Sequence, residues 1–98
     1  MSNPAIFGRR KDANHDEIAS ALRECGHSVI DTYRNGQGFP DLLVILRGTQ
    51  TVVLVEIKMP GESLTKPEKK FHAEYRGRLV VVESVEDAVW KIEGMMEE

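Results

Sequence analysis

Apolar residues in the first third of the chain recur with the period of a helix. Ile18, Ala19, Ala21, Leu22 and Cys25 fall on one stripe between Asn14 or Asp16, either of which can cap a helix, and Gly26, which stops one. A first helix is therefore predicted over residues 14–25. Ser28 to Tyr33 reads as a short strand, and Arg34-Asn35-Gly36-Gln37-Gly38 as a flexible turn that ends at Pro40. Residues 41–47 and 51–58 are two β-rich runs separated by Gly48-Thr49-Gln50, the mark of a hairpin. Near-continuous apolar stretches such as Leu42 to Leu46 suggest strands covered on both faces by helices. Thr65 can cap and Pro67 open a second helix running to about Arg76, with Phe71 and Tyr75 one turn apart and Gly77 as the stop. Leu79 to Glu83 reads as another buried strand. Ser84 then caps a last helix with Val85, Ala88, Val89, Ile92 and Met96 on one stripe and Trp90 beside it. The order αβββαβα predicts an α/β fold with a single mixed sheet flanked by helices, one domain over residues 1–98, with residues 1–13 as a flexible basic arm.

Composition narrows the classes. With 41% hydrophobic and 30% charged residues, the chain has the make-up of a folded globular protein. No apolar run is long enough to cross a bilayer, and Met1 to Arg10 lacks the core of a signal peptide, so a cytoplasmic location is expected. Cys25 is the single cysteine, which excludes an internal disulfide and reads as a small buried hydrophobe. A net charge of −3 argues superficially against a nucleic-acid partner, but residues 83–98 alone carry −5 and residues 1–82 carry +2.

Asp41 begins one strand of the hairpin, and Glu56 and Lys58, two apart, share a face near the end of the next. An antiparallel hairpin brings these ends together. Two carboxylates side by side in an apolar sheet repel and are costly to desolvate unless a cation or a proton holds them. Their hard oxygens suit magnesium or manganese, ions that keep several waters and accept phosphate oxygens. A phosphodiester substrate follows, with the Lys58 ammonium on the same face to orient the attacking water or stabilise developing charge.

Gly38-Phe39-Pro40-Asp41 followed by Glu56-Ile57-Lys58 resembles the PD-(D/E)xK nuclease superfamily, and the element order fits its restriction-endonuclease-like fold. More narrowly, Gly-x-Pro-Asp-Leu-Leu, Val-Glu-Ile-Lys, Leu64-Thr65 before a Pro-Glu helix start, Phe71-His72 and Val80-Val81-Val82 look like the virus-type replication-repair nuclease (VRR-NUC) domain over about residues 14–93. The resemblance implies a metal held by Asp41, Glu56, the backbone carbonyl of Ile57 and Glu17, with Lys58 assisting catalysis. It also implies in-line attack of a metal-activated water on a backbone phosphate without a covalent enzyme intermediate, leaving a 5′-phosphate. The family pattern has a glutamine after Pro-Glu in the second helix, where this chain has Lys69. Stand-alone members behave as junction-resolving dimers and are common in phage genomes, which would make the host cytoplasm the setting.

Blander roles compete at each position. Asp41 suits a strand-start turn, Glu56 and Lys58 an exposed ion-pair strip, and Glu17 a first helical turn. His15, His27 and His72 lack metal-pair spacing and read as surface or capping residues. Lys66, Lys69, Lys70, Arg76 and Arg34 are the candidate phosphate contacts, with Arg9, Arg10 and Lys11 secondary, while Phe71, Tyr75 and Trp90 read as core. Nothing in the strands reads base edges, so recognition of branched DNA by shape is expected. The sequence-level reading is a homodimeric, Mg2+- or Mn2+-dependent Holliday-junction-resolving endonuclease, with no membrane or small-molecule cofactor. The rivals are a flap- or nick-directed nuclease, a non-catalytic DNA-binding module, and a protein-interaction domain using the acidic last helix.

Overall fold

The computed structural model describes residues 11–97, so most of the expected N-terminal arm, including Arg9 and Arg10, lies outside the described residues. Helix α1 spans His15–Glu24. Asp16 and Glu17 in its first turn and Arg23 in its last complement the helix dipole. Asn14 stands at the N-cap, yet its amide donates to the Glu83 carbonyl at 3.0 Å and so ties α1 to the far end of the chain.

Strand β1 covers Ser28–Asp31, short of the expected end at Tyr33. Thr32 donates its N–H to the Asp41 carbonyl at 2.8 Å, and the chain then turns through a 3-10 helix at Tyr33–Asn35. Strand β2 is Leu42–Ile45 and β3 is Val52–Ile57. Helix α2, Lys66–Glu74, opens with a complete capping box: the Thr65 side chain accepts from Glu68 N, and the Glu68 carboxylate accepts from Thr65 N. Strand β4 is Arg78–Val82, and α3 runs Val85–Met95 with Ser84 Oγ accepting the Asp87 N–H at 3.0 Å.

The four strands lie in chain order, β1 and β2 antiparallel, β2 and β3 antiparallel, β3 and β4 parallel, which makes the sheet mixed as expected. The alternation of side chains sorts the residues onto two faces. On one, Leu42, Val44, Val53, Val55, Ile57 and Val82 meet Ile18, Ala19 and Leu22 of α1 and Ala88 and Ile92 of α3 in a continuous core. The other face carries Asp41, Glu56 and Lys58 at one end, where α2 crosses it.

Four expectations require correction. The sheet is not covered evenly on both faces, because Ile30 and Val52 on the α2 side remain 52% and 37% exposed. Trp90 is no core residue: it stands 77% exposed on α3, over a groove shared with Val80, Val89 and Met95. Cys25 is half-buried, at the end of α1. His15 and His27 are not on the surface but buried, each hydrogen-bonded to a carboxylate. No helix of the described residues is long and apolar enough to cross a membrane.

The β4 edge is blunted by a lysine: Lys91 Nζ donates to the outward Val81 carbonyl at 2.8 Å and to Asp87 at 3.2 Å. At the hairpin end, His27 joins three segments. Its Nδ1 accepts the Arg47 backbone N–H at 3.0 Å, so Nε2 carries the proton and donates to Glu93 of α3 at 2.6 Å. Arg47 closes the loop by bonding the Cys25 carbonyl and Glu93. Replacement of His27 by Ala leaves a void and two orphaned polar groups and is expected to lower the unfolding free energy by about 2–4 kcal/mol in a urea titration. The Glu93 carboxyl sits below its ordinary value of 4.5, first because of the Arg47 hydrogen bond, with burial opposing and His27 assisting. A depressed folded-state value means stability that is present above pH 4.5 and lost as the pH falls through the folded-state value. Glu93→Gln should remove this part of the acid-side fall in Tm; a wild-type slope in that variant would refute the assignment.

Candidate active site

The hairpin register sets the geometry. Leu42 pairs with Val55, and Asp41 N–H donates to the Val55 carbonyl at 2.9 Å, so Asp41 stands across from Glu56 on the same face. Asp41 Oδ2 then accepts the Ile57 N–H at 2.8 Å, which locks the carboxylate against β3. Lys58 follows the end of β3, with its own N–H bonded to the Val82 carbonyl at 2.9 Å. Asp41, Glu56 and Lys58 are 4%, 0% and 8% exposed, which rules out the reading of Glu56 and Lys58 as a solvent-facing strip.

Helix α2 completes the site with two residues that sequence reasoning did not assign to it. Glu68, 3% exposed, receives the Lys58 ammonium on Oε1 at 2.7 Å. One turn on, His72 Nε2 lies 4.0 Å from Glu56 Oε1. Burial on its own would lower the Lys58 pKa; the Glu68 hydrogen bond and the charges of Glu68, Glu56 and Asp12 outweigh it, and the ammonium is held above its ordinary value. His72 goes the other way, lowered by burial and by Lys58 against an opposing pull from Glu68. The signal was present in the chain: with Lys66, Lys69 and Lys70 on the solvent side, positions 68 and 72 are the inward stripe.

The resemblance set Lys69 in the place of the family glutamine, but Lys69 is exposed, and the α2 residue that meets the site is its neighbour Glu68. Glu17 is solvent-exposed on α1. Among the described residues no group of three or more His, Cys, Asp and Glu side chains is arranged to hold a metal, so Glu17 does not gather with Asp41 and Glu56 into such a cluster. The donor chemistry still suits a hard divalent ion. Asp41 and Glu56 supply two carboxylates, and an ion such as magnesium draws its other ligands from backbone carbonyl, here that of Ile57, from water and from phosphate. Lys66, Lys69, Lys70, Arg76 and Arg34 are all exposed. Lys70 makes only a 3.4 Å pair with Glu74, and Arg34 donates to the Tyr33 hydroxyl at 3.0 Å while lying over its ring.

A single mixed sheet with helices in this element order is the α/β fold of nucleases of the PD-(D/E)xK type. The VRR-NUC domain family model matches residues 5–86, and the chain belongs to that family. Membership makes DNA its partner, and nucleases of the family generally use divalent metal ions. Searches of curated proteins and of solved structures found no significant match.

The approach of α2 to the Asp41 loop leaves no room for a side chain at Gly38. Its φ is +85°, and an added Cβ would overlap the Pro67 carbonyl and come within 2.9 Å of Glu68 N. Gly38→Ala must move either the loop that presents Asp41 or the start of α2. A loss of about 1–3 kcal/mol in stability and of cleavage by about tenfold or more is expected, measured by denaturant titration and nicking rate.

Proposed function

We propose that this chain is a magnesium- or manganese-dependent endonuclease that selects branched DNA by shape and, as a homodimer, resolves four-way junctions. The observation that carries the reading is Asp41 opposite Glu56 with Lys58 two residues further on, all buried at one sheet end. A divalent ion held by Asp41, Glu56 and the Ile57 carbonyl would supply positive charge to the phosphate and acidify an attacking water. Asp41, pinned to Ile57 N, brings a preset donor, and Lys58 brings a cation that stabilises charge developing on the phosphate. Lys66, Lys69 and Lys70 line the outer side of α2, with Arg76 just beyond its end and Arg34 near the Asp41 loop, as contacts for flanking phosphates. The family supports a DNA substrate; dimerism and junction choice rest on the symmetry of the substrate, because two sites related by a two-fold axis match its two equivalent strands.

The test uses labelled four-way junction and matched linear duplex, each with magnesium, manganese or chelator. Paired symmetric nicks should appear only with metal, and Asp41→Asn and Lys58→Ala should each slow them by about 100-fold or more. Light scattering should give a dimer at micromolar concentration. A monomer, or metal-dependent cutting confined to flaps and nicks, would discard junction resolution; binding without cleavage under every metal would discard the enzyme.

A further inference from the structure

Glu68 is in an unusual position for a capping residue. The third helical residue of a capping box needs only to reach back to the N-cap N–H, a task an exposed carboxylate performs at the surface. Here that carboxylate is 3% exposed, and the same Oε1 that takes the Thr65 N–H at 2.8 Å takes the Lys58 ammonium at 2.7 Å. Burying a further carboxylate beside Asp41 and Glu56 is unfavourable unless a cation compensates it, and Lys58 is that cation. Helix capping alone gives no reason for the burial.

The spacing of α2 over the strand points the same way. Residues 68 and 72 are four apart on a helix, about 6.0 Å along its axis, and residues 58 and 56 are two apart on an extended chain, about 6.6 Å. Glu68 meets Lys58 and His72 meets Glu56, so α2 lies antiparallel to the end of β3 in matching register. Gly38 lets the Asp41 loop press against Pro67 and Glu68, which fixes where the helix begins. A lysine side chain has four rotatable carbons, and an ammonium not held in place would sample many positions.

We propose that Glu68 is a positioning residue for Lys58: helix α2, through its capping carboxylate, holds the ammonium where a scissile phosphate would meet it. The inference rests on the proposed role of Lys58 in phosphodiester hydrolysis. Two readouts separate it from that reading. In cleavage kinetics, Glu68→Ala should lower kcat by about 100-fold with KM nearly unchanged, as expected when a catalytic group is misplaced. Glu68→Gln retains an acceptor for both Thr65 N and Lys58 and should recover most of the loss. Ser84→Ala, which removes a cap from α3 on the other side of the fold, should lower stability and leave kcat unchanged. In a Lys58→Ala background Glu68→Ala should cost nothing further.

The second readout needs no activity. Acylation by an amine-reactive reagent, mapped by peptide mass spectrometry, should label Lys58 at least about fivefold faster in Glu68→Ala than in wild type, relative to Lys66 and Lys69, because the ion pair that shields it is gone. Unchanged Lys58 labelling would overturn the proposal, as would full loss of kcat from Glu68→Ala on top of Lys58→Ala. If the wild type cleaves nothing, the nuclease reading fails, while the labelling still decides whether Glu68 holds Lys58.

Discussion

The antiparallel register between β2 and β3 is the constraint from which the site follows. Leu42 opposite Val55 puts Asp41 opposite Glu56, and a slip of one residue would turn every side chain of one strand to the other face. Slippage is prevented on both sides. Val44, Val53 and Val55 are buried under α1 and α3 and admit only one parity, and the Asp41 to Ile57 bond at 2.8 Å pins the strand ends. The same parity sends Glu56 and Lys58 to the α2 face. Core packing on one side of the sheet therefore determines the chemistry on the other.

Placing charges in a sheet interior carries a desolvation cost of several kcal/mol per ion unless partners offset it. At the site end, the Lys58 to Glu68 pair supplies one such offset and joins strand to helix. At the hairpin end, His27, Glu93 and Arg47 form a second network, between the α1–β1 turn, the β2–β3 turn and α3. The two differ in what they connect. The hairpin network joins two turns to α3, whereas the site network joins the end of β3 to α2 through Lys58 and Glu68.

Element order, sheet class, the Ser84 start of α3 and the grouping of Asp41, Glu56 and Lys58 at one sheet end were legible in the chain, because each has a local signature. Period-2 and period-3.6 patterns mark the elements, and Asp41 with Glu56-x-Lys58 places charged residues at the ends of two apolar runs. What was not legible depends on long-range approach. His27 looked like a surface histidine because Glu93, its partner, is 66 residues away. Trp90 looked like core because helical spacing alone does not say which side of a stripe turns to solvent. Glu68 reads in the sequence as a carboxylate opening a helix, because nothing local shows that Lys58, ten residues earlier, meets it.

Helix α2 has two distinct faces. Its inner positions, 68 and 72, face Lys58 and Glu56, and its outer positions, 66, 69 and 70, present three exposed lysines. Under the proposed function, phosphates flanking the cut would engage the outer lysines. Glu68, on the inner side of the same helix, would link that engagement to the Lys58 ammonium. A substrate whose backbone curves so as to meet both faces would settle the ammonium in place, and one that misses the outer lysines would not. On that reading shape selectivity would require no base contact, because a buried capping carboxylate would make the placement of one lysine depend on how DNA lies along one helix.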